Sequence, residues 1–378
     1  MRRGVSLSLY VGPAIPLPAP RFLIDALTEV TVTAGSGETD GFELKFAMSN
    51  DSTLLQSVFL LSGGAAPKWI RVVIAVNING STDVLMDGMV TQTQVAPDTG
   101  GGPTLLVVKG RDISEVMDSV DFSGLIPYPA LPLEGRVALI LTKYLVFGIV
   151  PAIIPTPTVD INNPLTRIDQ HWGTDLVYLR ELAASVGYTF YIEPGPVAGA
   201  SIAYWGPVLR VGAVQKPLNV DMDVETNVQS VSCTFDADSA AMPIVLVENP
   251  ITRIPAIPIP VGLVNPLDPP LGLVPPIPKS FPIVADSAKK SFPRALMWAW
   301  ADQAASNRAV RAQGTIDTLR YGEALKTRRL VGLRGVGTAF DGLYFTEQVT
   351  STMKRGEFTQ NFTLVRNGLI STLGRIPT

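Results

Sequence analysis

Lys68–Gly80 reads KWIRVVIAVNING, and its alternation decides the class of fold. Ile70, Val72, Ile74, Val76 and Ile78 fall on one face, and Trp69, Arg71, Val73, Ala75 and Asn77 on the other. Side chains two apart share a face only in an extended chain, so the spacing predicts a β-strand with one strongly apolar side. Working outward, Thr28–Ala34, Gly41–Met48, Val84–Val95 and Thr104–Arg111 read as companion strands, separated by turns bearing Gly and Asp. Strand after strand from Val5 to Arg111 suggests a small barrel or a sandwich.

Beyond this region the pattern changes. Val137–Gly148 reads as a helix, and Pro151–Pro164 as a proline-broken loop. Thr174 is placed to cap a further helix, with Asp175 in its first turn, where a negative charge suits the helix dipole. Leu176, Leu179, Ala183 and Val186 give that helix an apolar stripe, and Gly187 sits where a helix-ending glycine belongs. Tyr188–Glu193 reads as a strand, so 113–206 is a mixed α+β segment. Strands are expected again at Pro207–Val214 and Asn227–Asp236. Met242–Pro293 holds 13 prolines, too many for a helix or a central strand. Ile254, Ile257, Ile259, Val261, Leu263, Val264 and Leu267 make it apolar, so an ordered arm packed on a neighbouring subunit is expected. Arg294–Ala312 reads as a helix, Thr327–Gly335 as a strand, and Phe345–Met353 with Glu357–Arg366 as a hairpin turning at Lys354–Gly356.

Composition excludes several functions. The 378 residues carry 30 Lys+Arg against 33 Asp+Glu, which is no basic face for nucleic acid. One Cys and one His exclude a disulfide framework, a multi-cysteine metal site and two-histidine catalysis. Charged residues are only 17% and the mean hydropathy is +0.27. The surplus apolar surface must therefore enter a membrane or other subunits. The best span candidate, Val137–Val150, is interrupted by Lys143 and followed by Pro151, too short for a transmembrane helix. The N-terminus lacks an unbroken signal-peptide core before Pro13.

Individual residues add no reaction centre. His171, in DQHWGTD, could be a general base with Asp169 or Asp175, but the chain has no G-x-S-x-G nucleophile motif. A loop His held near Trp172 is the better reading. Cys233, alternating with Val231 and Phe235, reads as a buried small apolar residue. The glycines of Gly332–Gly337 and Gly35–Gly37 read as sheet turns rather than phosphate loops. Asp221, Asp223 and Glu225 alternate as on a solvated strand face and lack the spacing of a calcium loop.

Residues 321–368 read YGEALKTRRLVGLRGVGTAFDGLYFTEQVTSTMKRGEFTQNFTLVRNG. A hydrophobic strand at Val331 leads to Gly335 and Gly337. An aromatic-Asp-Gly-x-Tyr turn follows at Phe340, Asp341, Gly342 and Tyr344, then Val349 and Thr350. A basic turn at Arg355 and Gly356 precedes a last strand bearing Phe358, Gln360, Phe362, Leu364 and Arg366. This run resembles the closing segment of the tail-hub proteins of contractile phage tails and related bacterial injection systems, the late control protein D family. Leu179–Gly195 resembles that family's middle domain. Ser351 stands where relatives often have His, and the proline arm is a second departure.

The resemblance implies a mainly β fold with some α, made of two tube-like antiparallel β-barrels and a mixed α+β accessory domain. The first barrel would span 1–112 and the accessory domain 113–206. The second barrel would combine 207–240 and 313–378, with the arm and helix of 241–312 inserted between neighbouring strands. Gly335, Gly337, Asp341, Gly342, Tyr344, Gly356, Phe358 and Phe362 are structural in this reading. Val231, Cys233 and Phe235, and on the last strand Phe358, Phe362 and Leu364, would face the second barrel's interior. The implied function is a structural baseplate hub with no catalytic residue, cofactor or metal. It would be a homotrimer with a wide central opening, offering six barrels to a hexameric inner tube and three-fold symmetry to a trimeric spike, among other baseplate proteins. The chain ends at Thr378, so the spike is expected to be a separate polypeptide. Assembly in the bacterial cytoplasm, into a phage tail or tail-like particle, follows from the same resemblance. Another tail or baseplate subunit is the alternative, and a cell-wall-degrading enzyme comes third.

Overall fold

Alternating apolar residues cannot bury one face alone, and here they do so against one another in a long antiparallel sheet. The computed structural model describes residues 4–35, 40–48, 70–97, 104–156, 168–238, 244–247, 257–260, 269–281, 292–306 and 308–372. The first unit contains β1 (Val5–Gly12), β2 (Leu17–Pro18), α1 (Arg21–Ala26), β3 (Leu27–Gly35), β4 (Gly41–Met48), β5 (Arg71–Ile78), β6 (Ser81–Ala96) and β7 (Thr104–Asp112). Its strand order is β2-β1-β5-β6-β7-β4-β3, antiparallel throughout. Leu44, Phe46, Val72, Ile74, Val76, Leu106 and Val108 fill its core. Helix α1 was not legible in the sequence; it seats Leu23 in that core without solvent exposure. The second face of β5 is buried as well, with Arg71 at 1% and Val73 at 0% exposure. The α+β segment packs on that side, where Arg71 Nη2 donates to Gly199 O at 3.0 Å.

The α+β segment holds β8 (Pro127–Tyr128), α2 (Leu133–Thr142), β9 (Ile149–Ile153), β10 (Asp169–Gln170), α3 (Asp175–Ser185), β11 (Thr189–Pro194) and β12 (Ser201–Gly206). β12 joins β11 antiparallel and β9 parallel, and β8 pairs β10. The helix expected at 137–148 starts four residues earlier and stops at Thr142; a short 3-10 turn covers Leu145–Phe147. Thr174 caps α3 as expected, its Oγ1 accepting from Val177 N. Leu176, Leu179, Ala183 and Val186 are buried around Trp205. Gly187 has φ +72°, and a Cβ there would press on Met297 O, so glycine is required.

The last part contains β13 (Val214–Asn219), β14 (Val228–Phe235), β15 (Ile244–Val247), β16 (Ile257–Pro260), β17 (Gly272–Val274), α4 (Phe292–Ser306), β18 (Val310–Asp317), α5 (Thr318–Tyr321), β19 (Leu330–Arg334), β20 (Gly342–Lys354), β21 (Glu357–Arg366) and β22 (Leu369–Ser371). The hairpin at Lys354–Gly356 is present. Several expectations are corrected. Pro207–Ala213 is not a strand; pairing starts at Val214, where β19 becomes available. Asp223–Glu225 is a 3-10 turn, with Asp221 and Asp223 at φ +48° and +49°, so these acids share no strand face. The helix of the 294–312 stretch ends at Ser306, because Val310–Ala312 pair with Leu364–Arg366 and Cys233–Phe235. Part of the arm is held by its own chain, near the C-terminal end of that chain. β17 pairs β22, and Asn367 Oδ1 accepts from Leu271 N at 2.9 Å. Ile254, Val261, Leu263, Val264 and Leu267 lie outside the described residues.

Setting aside β2, β22 and the strands of the arm and of the α+β segment, the chain builds two six-strand units with one order. Counted along the sequence, each runs first-fourth-fifth-sixth-third-second: β1-β5-β6-β7-β4-β3 and β13-β19-β20-β21-β18-β14. Both second strands bulge at the same place, between Leu27 and Glu29 and between Val228 and Ser230. Both fifth strands do too, between Val90 and Gln92 and between Thr346 and Gln348. A bulge adds an unpaired residue that bends the strand, so matching bulges mark equivalent positions. The units differ at one pairing: β1 and β5 are antiparallel, β13 and β19 parallel. Strands β3 and β20 pair antiparallel and fuse both units into a 13-stranded sheet. The inserted arm and α4 leave between β14 and β18, which are direct neighbours.

Candidate functional site

The C-terminal motif builds a turn locked by a buried arginine. Gly335 and Gly337 take φ +87° and +110°. Asp341 Oδ1 accepts from Val336 N at 2.8 Å and from Gly337 N at 3.2 Å, closing the loop between β19 and β20. Tyr344 is fully buried, and its hydroxyl donates to Phe340 O at 2.6 Å. The Arg366 guanidinium lies 4.6 Å above the Tyr344 ring and donates to Gly368 O, Asp341 O and Ala339 O at 2.7, 3.0 and 2.9 Å. Any Cβ on Gly342 would overlap that guanidinium. Gly356, at φ +82°, turns the β20–β21 hairpin. These residues spend their polar atoms on one another, which is the chemistry of a fixed loop.

The second half of the motif serves both units. Phe362 is buried in the second core, as expected, but Phe358 is buried in the first, together with Met353. The hairpin tip extends beyond the second unit because β20 continues along β3, from Gln348↔Gly35 to Lys354↔Glu29. Between these aromatics lies Gln360, fully buried. Its Oε1 accepts from Leu325 N at 2.8 Å, and its Nε2 donates to Ser351 Oγ at 3.0 Å. Ser351 thus has a packing role at the junction. Arg328 bonds Gly35 O and Asp40, and lies 4.0 Å from the Tyr191 ring centre. Lys326 pairs with Asp83 at 2.5 Å.

A cavity of about 250 Å³ lies at this junction, lined by Asp40, Asp83, Asp112, Glu193, Lys326 and Arg328 among others. Burial pushes the Asp112 carboxyl up to about 6, against the hydrogen bond from Ser114 and with help from the nearby Asp40 charge. Burial also raises Asp40, opposed by Arg328.

No family model matches the chain, and no curated protein matches it in sequence. Solved structures do. A tail protein from Neisseria meningitidis MC58 superposes with a TM-score of 0.61 at 13% identity, covering 97% of this chain and 98% of that one. The 43 kDa tail protein of prophage MuSo2 from Shewanella oneidensis gives 0.59 at 13% identity, covering 96% and 98%. A chain of the Francisella PdpA–VgrG complex gives 0.57 at 9% identity, covering 99% of this chain and 60% of that one. The fold is that of phage tail proteins. At these identities the likeness concerns the fold, and it spans nearly the whole tail protein in the first two cases.

Within this tail-protein fold the other candidates are structural. His171 is fully buried, whereas the adjacent Trp172 is 60% exposed. Its ring stacks 4.2 Å from Tyr178, and its Nδ1 shares a 2.9 Å hydrogen bond with the Tyr128 hydroxyl. Its Nε2 lies 3.5 Å from Asp175, which also accepts from Lys143 at 2.9 Å and Tyr144 at 2.6 Å. Burial lowers the His171 pKa. This cluster ties the end of α2, α3 and the β8–β10 pair together. Cys233 is half-buried beside the second core, and burial raises its pKa, away from reactive thiolate. Phe235, expected inside, is 39% exposed. Among the described residues no group of three or more His, Cys, Asp or Glu could hold a metal, and no helix is long and apolar enough to cross a membrane. The residue that sequence reasoning missed is Arg71. Its partner Asp87 lies sixteen residues away, and only the β5–β6 pairing brings them together.

Proposed function

We propose that this chain is a structural baseplate hub of a contractile tail or injection particle, a homotrimer that joins a hexameric inner tube to a trimeric spike. The observation that carries this is the repeated strand order with its matched bulges. Two equivalent units in each of three chains make six, so a trimer can present near-six-fold symmetry to a tube while keeping three-fold symmetry for a spike. Each unit is read as a tube-like barrel, over 1–112 and over 207–240 with 313–378, the α+β segment 113–206 forming an accessory domain. The low charge and high mean hydropathy fit a subunit that hides surface in an assembly. The motif residues are scaffold in this reading, and the chain is not an enzyme. Other baseplate proteins would be its further partners, in a particle assembled in the bacterial cytoplasm.

Mass measurement of the purified protein tests the proposal. A particle of three 40.4 kDa chains, binding tube and spike subunits when co-expressed, is expected. A stable monomer at micromolar concentration overturns it.

A further inference from the structure

The internal junction shows how two units of this kind join. In the second unit, β19 covers β20 only over Gly342–Phe345. Past the bulge, the edge of β20 from Gln348 to Lys354 is taken by β3, the second strand of the other unit. The equivalent parts of the opposite ends are unpaired among the described residues. In the first unit β5 covers β6 as far as Met89 and Ile70 O accepts from Val90 N at 2.9 Å, while among the described residues Gln92–Ala96 pair on one side only, with β7. In the second unit β14 pairs only β18.

We propose that β14 of one chain pairs antiparallel with Gln92–Ala96 of β6 in a second copy, repeating between chains the β3–β20 junction made within each chain. This rests on the trimer reading and specifies its interface. The bulges set the register. Thr91 and Glu347 occupy one bulge position, and Thr28 and Gln229 the other. Carrying the β3–β20 register across places Ser232 opposite Ala96, Cys233 opposite Val95, Thr234 opposite Gln94 and Phe235 opposite Thr93 of the second copy. The two edges differ from each other, so the contact is head-to-tail, and three copies close it into a ring.

Exposure supports the assignment. At the internal junction Val32 is 2% and Ser351 3% exposed. Val95, the equivalent of Ser351, is 40% exposed, and Phe235 on the partner edge is 39%. An unpaired strand edge bearing exposed apolar side chains is an aggregation hazard unless another strand covers it, and a second copy supplies that strand in its β14.

The native Cys233 makes a direct test. Opposed residues in an antiparallel pair lie about 4.5–5.5 Å apart at Cα, within disulfide range. Full-length Val95→Cys, treated with a mild oxidant, is expected to give reducible covalent species of two and three chains and none larger. Cys233→Ser combined with Val95→Cys is expected to give none. Opposed pairs alternate in geometry, so a second variant, Thr234→Cys with Gln94→Cys and Cys233→Ser, samples the other type. A trimeric mass with neither variant cross-linking overturns this pairing and leaves the trimer standing. A monomeric mass overturns both, and a ladder extending beyond three chains overturns the closed ring.

Discussion

Arg71 and Asp87 face each other across β5 and β6 as a two-pronged ion pair, Nε to Oδ1 at 2.7 Å and Nη2 to Oδ2 at 2.5 Å, with both side chains shut off from water. The pair also fastens the α+β segment to the first unit. Ser201 Oγ donates to Asp87 Oδ2 at 2.8 Å, and Arg71 reaches Gly199 O and Ala14 O. Removing one partner strands the other charge in a dry interior. Asp87→Asn is expected to cost about 3–5 kcal/mol in urea unfolding. Arg71→Met with Asp87→Leu is expected to cost less than Asp87→Asn alone; a larger loss in the double variant would contradict the charge argument.

Gly342 is expected to tolerate no side chain. Its φ of +147° and the guanidinium of Arg366, which occupies the place of a Cβ, leave no room for a methyl group. Gly342→Ala should lower stability by about 1–3 kcal/mol. Gly337→Ala, where φ is +110° but the space is open, should lose about 1 kcal/mol through backbone strain alone. Thermal melting of both variants separates steric from conformational cost.

Phe358 and Phe362 lie four residues apart on β21 but in different cores. Truncating either to Ala should cost about 3–5 kcal/mol. Hydrogen exchange should tell them apart. Phe358→Ala should loosen β3, β4 and α1, whereas Phe362→Ala should loosen β14, β18 and β19. Identical exchange patterns would refute a hairpin shared between two cores.

Asp112 should leave a mark on the pH dependence of stability. Its folded value of about 6 lies above the ordinary 3.8, so the folded chain holds this proton more tightly than the unfolded chain. That contribution is fully present below about pH 4 and is lost as the pH rises through about 6. Asp112→Asn removes the titration while its amide oxygen can still accept from Ser114. The variant should gain on the wild type between pH 4 and pH 7, by roughly 3 kcal/mol at most. A pH-independent difference would show that burial does not hold the proton.

The local elements were legible because they depend on neighbours along the chain. Alternation at Ile70–Ile78, the Thr174 cap and the turn at Lys354–Gly356 are properties of a few consecutive residues, and the structure keeps all that fall within its described residues. Elements whose state depends on a distant strand were misread. Val310–Ala312 suits a helix by composition and becomes strand because Leu364–Arg366 and Cys233–Phe235 lie beside it. His171 does lie in a loop, but its burial was not legible, because nothing nearby in sequence announces Tyr128 or Tyr178. The burial of the second face of β5 was not legible either, because the α+β segment that covers Arg71 lies far along the chain. By itself, then, the sequence determined a strand-rich chain, the positions of most strands and the glycine turn that Arg366 locks. Only the tertiary structure decided that the two units share one strand order and that one hairpin serves two cores. Strand order and bulge position are set by pairing between segments far apart, and backbone hydrogen bonds make that pairing with little regard to which side chains the strands carry.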